Sequence, residues 1–238
     1  MFQLSRVAAV RVVGLALLAS ALALNTATAS SILINGSFEL TSSDMPGSGE
    51  LLAGSTQITG WTVSGTSLSN DVIDWLGPGG GGPLWNASDG THLVELDGRN
   101  SLNGAIYQTF ATLVGQTYQV SFDLSGNPGD GRGTLGNGLP LVKQVRVAVG
   151  GVTHDYQFDS TGLTTVTLLW QPISFAFIAS GTTETLSFTS LTPTPNSYGA
   201  LVDDVRVEPA LTAVPEPTSL LLLGTGLLGV VGRRWRRE

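Results

Sequence analysis

Two acidic residues, Glu95 and Asp97, are separated by one residue in the segment Val94-Glu95-Leu96-Asp97. In a strand their Cα atoms would lie ~6.6 Å apart at ~3.3 Å rise per residue, a spacing compatible with two-carboxylate hydrolysis of a glycosidic bond. The same alternation with Val94 and Leu96 is typical of any solvated strand face. A glycan-degrading enzyme is therefore the least favoured of the functions considered for this chain.

Other catalytic arrangements have no support in the residue types. The 238 residues include no cysteine, only two histidines (His92 and His154) and no Gly-x-Ser-x-Gly segment, so a nucleophilic triad and a thiolate metal site are both disfavoured. The formal net charge of −7 also disfavours a nucleic-acid partner. We therefore expect a chain without catalytic residues of its own.

Several aromatic residues lie near glycine-rich segments and are candidates for stacking on sugar rings: Trp61, Trp75, Trp85 and Tyr107. Trp61 and Trp75 alternate with apolar neighbours, and this pattern predicts that both fill the protein interior. Trp85 instead follows the run GPGGGGP at 77–83 and precedes Asn86. Because loops carry a disproportionate share of binding residues, Trp85 and Asn86 are predicted ligand contacts.

The elements that must position these residues are strands. Apolar and polar residues alternate with a period of two, and no window has a helical period; the clearest runs are 118–124, 145–149, 152–158, 173–179 and 186–190. Clusters of glycine, proline, asparagine and aspartate separate the runs, at 77–83, 126–138 and 192–199. About ten such strands predict an all-β fold, a two-sheet antiparallel sandwich of the jelly-roll type.

The N-terminal residues predict a secretory signal peptide over 1–29. Arg6 and Arg11 precede an apolar run at 12–24, and Ala27-Thr28-Ala29 fits the cleavage pattern of signal peptidase. An uncleaved anchor is disfavoured because 13 residues of helix, at ~1.5 Å each, are too short for a ~30 Å hydrocarbon core. We expect cleavage after Ala29, so that the mature chain begins at Ser30.

A second apolar segment, 218–232, lies near the C-terminus and predicts a short transmembrane helix. A linker at 210–217, ending in Val214, Pro215, Glu216 and Pro217, precedes it, and a cytoplasmic cluster at 233–238 follows with Arg233, Arg234, Arg236 and Arg237. Arginine next to an apolar segment is retained on the cytoplasmic side, so the body would face outward. A simple tail anchor would have the same pattern.

The order of VPEP, apolar segment and arginine cluster resembles the PEP-CTERM sorting signal of Gram-negative bacteria that make extracellular polysaccharide. The resemblance implies recognition of Pro215, Glu216 and Pro217 by an exosortase, a membrane protease with a cysteine nucleophile. It therefore implies export across the inner membrane, transient membrane anchoring, and a final place in the cell envelope or extracellular matrix.

The part of the chain between the two targeting ends is strongly acidic. Residues 30–213 contain five basic and sixteen acidic side chains, a net charge of −11. Such a surface should repel polyphosphate and anionic lipid while favouring cations such as calcium.

The body, residues 30–209, resembles the choice-of-anchor C domain, which is related to the galactose-binding-like sandwiches. The motifs that carry the resemblance occur in order along the chain: ILINGSFEL, ITGWTV, VIDWLG, WNASDGTHLVELDG, GAIYQTFAT, GQTYQVSFDLSGNPG and ALVDDVRVE. The resemblance implies a β-sandwich delivered to the bacterial surface, and it leaves the biochemical activity open.

A metal site follows from the same resemblance. Alternation over 201–207 places Asp203 on the inward face with Val205 and Val207, where an unpaired carboxylate would be costly. Galactose-binding-like modules commonly hold a structural calcium between a glutamate near the first strand and an aspartate near the last, positions that Glu39 and Asp203 match. Hydrogen bonds to backbone amides, or simple exposure, are the alternatives.

Together these patterns predict an exosortase-sorted protein of the envelope or matrix that binds carbohydrate or exopolysaccharide. Its partners would be signal peptidase, an exosortase, a polysaccharide and, before processing, the membrane. A purely structural or adhesive surface protein is the alternative.

Overall fold

The structure is a computed structural model, which describes residues 30–42, 45, 47–65, 72–78, 86–98, 104–129, 141–164, 168–193 and 198–210. The predicted signal peptide (1–29), the linker beyond Ala210, the apolar segment 218–232 and the arginine cluster lie outside these residues. So does Trp85.

The described residues form eleven strands and no helix. The strands are β1 Gly49–Leu51, β2 Thr62–Ser64, β3 Ile73–Leu76, β4 Leu93–Glu95, β5 Ala105–Ala111, β6 Thr117–Gly126, β7 Val142–Val149, β8 Val152–Asp159, β9 Gln171–Ile178, β10 Thr183–Ser190 and β11 Ala200–Pro209. Every run with a period of two named above coincides with one of the longer strands.

The strands form two antiparallel sheets. The first has six strands in the order β1-β3-β4-β11-β6-β9, and the second has five in the order β2-β5-β10-β7-β8. The predicted two-sheet antiparallel sandwich is therefore confirmed, while the jelly-roll label stays a prediction. Strands β8 and β9 each end their sheet on the same side of the molecule, which leaves two eight-residue edges there.

Alternating side chains of both sheets fill the interior. In β6 the side chains of Tyr118, Val120, Phe122 and Leu124 are buried, as their alternation predicts. Trp61 lies at the centre, with its ring centroid 5.2 Å from that of Phe38 and 6.4 Å from that of Phe188. Trp61 and Trp75 are 1% and 3% exposed, so both belong to the core as predicted.

The segment Asn35-Gly36-Ser37-Phe38-Glu39 packs against the middle of β11. The Val205 amide donates to the Gly36 carbonyl oxygen (3.0 Å), and a Cβ atom on Gly36 would overlap the Val205 carbonyl oxygen. Asn35 has a left-handed backbone (φ 56°), and its side-chain oxygen accepts a hydrogen bond from the Leu40 amide (2.9 Å). Only glycine at position 36 allows the two backbones to approach this closely.

A β-bulge in β11 overturns one expectation about Asp203. Asp203 pairs with Asp123 of β6, but the next regular pair is Arg206 with Ser121, so an extra residue interrupts the ladder beside Asp204 (φ 47°). An extra residue shifts the alternation by one position. Asp203 therefore lies on the outer face of the six-stranded sheet with Asp123, and the prediction that it shares the inward face of Val205 and Val207 is wrong.

Candidate functional site

Glu39 is held by residues of the 86–92 loop, the segment that precedes β4. Its Oε1 atom accepts hydrogen bonds from the amides of Thr91 and His92 (2.7 Å each), and Oε2 contacts Thr91 Oγ1 and His92 Nδ1 (2.9 Å each). Burial opposes ionisation of this carboxyl, but the hydrogen bonds from His92 and Thr91 outweigh it and hold the pKa of Glu39 below its usual value.

Asp203 contacts the same loop at an earlier point. Its Oδ2 atom accepts hydrogen bonds from the amides of Ser88 (2.7 Å) and Asp89 (3.0 Å), and Oδ1 accepts one from the amide of Asp204 (2.7 Å). The side chain is fully buried. Burial raises the pKa of Asp203 to about 7, although the three amides act in the opposite direction.

The two carboxylates therefore fasten the 86–92 loop onto the sandwich. Four donors surround Glu39 and three surround Asp203, and these occupy lone pairs that a cation would need. The described residues contain no group of three or more histidine or acidic side chains that could hold a metal. These donor sets match the alternative of hydrogen bonding to amides, and they supply no calcium shell. Calcium binding stays a prediction.

Asn86 joins the 86–92 loop to the segment before β9. Its Oδ1 accepts from the Leu168 amide (3.1 Å), its Nδ2 donates to the Leu168 carbonyl oxygen (3.4 Å), and its own carbonyl oxygen accepts from Trp170 Nε1 (2.9 Å). The Asn86 side chain thus positions residues 168–170. The neighbouring Trp85 is outside the described residues, so the predicted ligand contact at Trp85 and Asn86 stays a prediction.

The acidic pair Glu95 and Asp97 is buried, not exposed on a solvated strand face as its alternation indicated. The two residues are 2% and 1% exposed. Asn127 Nδ2 donates to both carboxylate oxygens of Glu95 (2.8 Å each), and the Gly199 amide donates to Oε1 (2.7 Å). Burial and the nearby charge of Asp74 raise the pKa of Glu95 well above its usual value.

Asp97 lies in the same cluster, near Lys143 of β7. Neither of its carboxylate oxygens has a hydrogen-bond partner; the hydroxyls of Ser190 and Thr192 are near enough to favour the ionised form but do not reach hydrogen-bond geometry. Burial raises the pKa of Asp97 to about 6 despite these hydroxyls and Lys143. Lys143 is fully buried and donates from Nζ to the Tyr198 carbonyl oxygen (2.7 Å).

This buried acid cluster cannot receive a substrate as it stands. A general acid or nucleophile must reach the scissile bond, and both carboxylates are sealed from solvent by the strands and turns around them. We therefore assign them a structural role, joining β4 to the beginnings of β7 and β11. The sequence patterns did not predict that Lys143 is buried. The only signal for its burial was its position in β7, where alternation places a lysine on the core-facing side.

A row of partly exposed aromatic and aliphatic side chains lies between the two edge strands β8 and β9. We call it the aromatic seam and define it by Val152, His154 and Tyr156 of β8 with Ile173 and Phe175 of β9. The ring centroids of His154 and Phe175 are 4.7 Å apart, and those of Tyr156 and Phe175 are 6.5 Å apart. The inner edge of Tyr156 contacts Phe122, at 5.7 Å between centroids. All five seam side chains are only half-buried.

The seam is partly exposed because β8 and β9 are edge strands of different sheets, and no third strand of the described part of the chain lies over them. Rings of this kind offer an apolar face with polar groups close by, which is the surface that stacks on a sugar ring. Alternation over 152–158 and 173–179 places these side chains on one face of each strand, but it could not show that this face would lie at the border between the two sheets.

Two family models match this chain. Residues 31–208 match the family described as "Protein of unknown function (DUF642)", and residues 213–237 match the PEP-CTERM protein-sorting motif. Halomucin of Haloquadratum walsbyi is 29% identical over 189 residues, which is 76% of this chain but only 2% of Halomucin, so the chain spans a small part of that relative. The choice-of-anchor C resemblance is not confirmed by these matches.

Solved structures similar to the chain include carbohydrate-binding modules. TmCBM61 in complex with β-1,4-galactotriose is 18% identical with a TM-score of 0.48, covering 76% of this chain and 99% of that one. The CBM22-1 xylan-binding domain from Paenibacillus barcinonensis is 14% identical with a TM-score of 0.41, covering 73% and 99%.

Within the described residues there is no helix with the length and apolar character needed to cross a membrane.

Because the first family match extends over most of the chain, this protein belongs to the DUF642 family and carries a PEP-CTERM protein-sorting motif after its β-sandwich.

Proposed function

We propose that this protein is an exported surface protein, sorted by an exosortase through its PEP-CTERM segment, whose sandwich binds polysaccharide of the cell envelope or matrix along the aromatic seam. The domain itself performs no catalysis in this proposal. The sorting motif supports the export and location, and the partly exposed rings of His154, Tyr156 and Phe175 are the observation that carries the binding role.

The sorting half has a direct test. Processing should begin with removal of residues 1–29 and continue with exosortase action near Pro215-Glu216-Pro217, so the mature chain loses mass at both ends. In a host with an exosortase, Glu216→Ala should leave the chain unprocessed at its C-terminal end, whereas Glu238→Ala, an acid outside the tripeptide, should not. Equal processing of both variants, measured by intact mass, would contradict exosortase recognition.

Ring stacking explains how the seam would hold a glycan. Sugar rings have an apolar face that packs on the apolar face of an aromatic side chain. A chain of several sugars could contact consecutive rings along the two strands. The acidic body favours neutral or cation-bridged glycans over polyanionic ones.

Binding should be measured on a panel of neutral and acidic polysaccharides with Phe175→Leu, which keeps an apolar side chain against the core but removes the ring. Affinity should fall by about tenfold, the equivalent of about 1.4 kcal/mol. Tyr107→Leu on β5 is the comparison variant, because Tyr107 is also half-buried and a candidate for stacking but lies outside the seam. Native affinity in Phe175→Leu, or a loss confined to Tyr107→Leu, would exclude the seam.

A parallel variant, Trp85→Ala, tests the loop contact predicted from the sequence. Loss of affinity in Trp85→Ala but not in Phe175→Leu would move the glycan site from the seam to the segment beside Asn86. Absence of saturable binding to every glycan would favour the purely structural surface protein.

A further inference from the structure

The two chain ends of the sandwich leave it at the same end. The Ile32 amide donates to the Val207 carbonyl oxygen (2.8 Å) and Val207 donates to Ser31 Oγ (3.2 Å), while the later Gly36 pairs with the earlier Val205. The N-terminal segment therefore runs antiparallel to β11. Going backwards from Ile32, the chain approaches the end of β11, where Pro209 and Ala210 leave the domain.

The same end carries the turn between β5 and β6. The Ala210 amide donates to the Thr117 carbonyl oxygen (2.9 Å), which places the departing chain next to this turn. We call this the exit end. The opposite end of the sandwich holds the buried acid cluster and the start of β9, and a ten-residue strand such as β6 separates the two ends by roughly 33 Å.

Large apolar side chains project from the exit end. Leu113, Val114 and Ile178 are 71%, 64% and 61% exposed, the highest values among the large apolar residues of the described ranges. Together they form what we call the apolar tip. The turn runs from Leu113 to Gln116, with Gly115 (φ 79°) at its third position as turn chemistry favours. That chemistry does not explain bulky apolar residues at the first two positions, Leu113 and Val114.

The tip is held in its exposed position. Tyr118 Oη accepts a hydrogen bond from the Leu113 amide (2.9 Å), Gln116 donates to the Leu113 carbonyl oxygen (3.0 Å), and Gly115 donates to the Ala179 carbonyl oxygen (2.8 Å). These bonds fix the turn to β6 and to the end of β9. Leu113 and Val114 therefore cannot fold back onto the core without breaking them.

The length of chain between the exit end and the sorting segment limits where this end can be. Residues 211–217 separate Ala210 from the apolar segment that begins at 218, and seven residues span at most ~25 Å when fully extended. On the N-terminal side, Ser30 directly follows the predicted signal peptide. The signal peptide before its removal, and residues 218–232 afterwards, would therefore hold the exit end, and not the opposite end, close to the bilayer.

We propose that the apolar tip contacts the bilayer surface while the precursor is anchored, so that the sandwich stands with its exit end on the membrane and its opposite end outward. This inference rests on the proposed function, because residues 218–232 must hold the precursor in the membrane. The contact is apolar in nature: the body has a net charge of −11, so attraction to anionic headgroups cannot supply it. Leucine and valine at the interface bury apolar surface instead.

The absence of cysteine makes the orientation measurable. Full-length chain from a host without an exosortase is reconstituted into phosphatidylcholine vesicles as Leu113→Cys or Leu169→Cys, each labelled with an environment-sensitive fluorophore. Leu169 is the matched control: it is a leucine with 60% exposure that precedes β9 at the opposite end. The bilayer should shift the emission of the label at 113 to the blue, and spin-labelled lipid should quench it. Neither effect is expected for the label at 169.

A second pair of variants separates contact from mere proximity. With the label at Val114→Cys, Leu113→Ser should reduce quenching, whereas Leu169→Ser should not. Equal quenching at positions 113 and 169, or quenching at neither in vesicle-bound protein, would overturn the proposal. Quenching at 113 only after an exosortase is added would overturn it in favour of a protein contact. A chain that fails to float with the vesicles would instead contradict the anchoring on which the inference rests.

Discussion

The imidazole ring of His92 stacks on the indole ring of Trp75, with 4.1 Å between ring centroids and 4° between the ring planes. His92 Nδ1 also lies 2.9 Å from Glu39 Oε2, and Trp75 Nε1 donates to the Phe38 carbonyl oxygen (2.8 Å). One histidine therefore connects the 86–92 loop, β3 and the segment 35–39.

Replacement of this histidine should weaken the whole junction. His92→Ala removes a stacked ring and a hydrogen bond to a carboxylate, so we expect the free energy of unfolding to fall by about 1–3 kcal/mol in urea titrations. His92→Gln can still donate to Glu39 and should lose only part of this. Equal stability of His92→Ala and the native protein would show that the junction contributes nothing.

Stability should increase as the solution is acidified from about pH 8 to about pH 5. The pKa of Asp203 is raised to about 7 and that of Asp97 to about 6, so the folded protein binds protons that the unfolded chain has already lost. This stabilisation is fully present below the pKa that each carboxyl has in the unfolded chain. It is lost as the pH rises through the pKa that the same carboxyl has in the folded protein. Burial lowers the pKa of Lys143 to about 8, so its opposite contribution falls above this range. A thermal midpoint that is flat or falls on acidification over this interval would contradict the burial of both acids.

The variant Asp97→Asn should distinguish the contribution of Asp97 to this pH dependence from that of Asp203. At about pH 8 the native Asp97 is ionised, buried and without a hydrogen-bond partner, whereas asparagine has no charge to desolvate; we expect a gain of about 1–3 kcal/mol. At about pH 5 native Asp97 is largely protonated, so the two proteins should differ little. Matched denaturant titrations at the two pH values measure this, and equal destabilisation at both would show that the charge of Asp97 is compensated.

Gly36→Ala should be strongly destabilising, because the new Cβ atom would overlap the Val205 carbonyl oxygen and push the segment 35–39 away from β11. We expect a loss of about 3 kcal/mol or more, the upper range for overpacking. Gly162→Ala is the control, since its φ of +78° is unfavourable for alanine but no atom lies within 4 Å of the added Cβ; it should cost about 1–2 kcal/mol. A smaller loss for Gly36→Ala than for the control would contradict the close approach.

Calcium can be tested by thermal melting in millimolar calcium and in chelator. If Glu39 and Asp203 bind the ion, calcium should raise the midpoint, and Asp203→Asn should abolish the rise. The amides that surround both carboxylates argue for no change. Equal thermal midpoints in calcium and in chelator would exclude calcium as a ligand of this protein.

The alternation of residues within each strand was readable from the sequence because it requires only that one face be buried. The runs at 118–124 and 145–149 lie in β6 and β7, with the predicted side chains in the core. Trp61 and Trp75 are also in the core, as predicted. The sorting motif was equally readable, since its parts are adjacent in the chain and its recognition needs no fold.

Tertiary structure alone decided what surrounds each polar or aromatic residue. One extra residue in β11 put Asp203 on the outer face, against the amides of Ser88 and Asp89, which are more than a hundred positions away in the chain. Packing of β4 beside β11, with Lys143 of the other sheet near Asp97, buried Glu95 and Asp97 where alternation indicated solvent. The order of strands left β8 and β9 at the edges of their sheets, where the seam side chains stay partly exposed. It also brought Ala210 beside Thr117, at the end of the turn that carries Leu113. Alternation fixes the face of a side chain, but burial, partners and exposure depend on contacts between distant segments, which only the folded chain brings together.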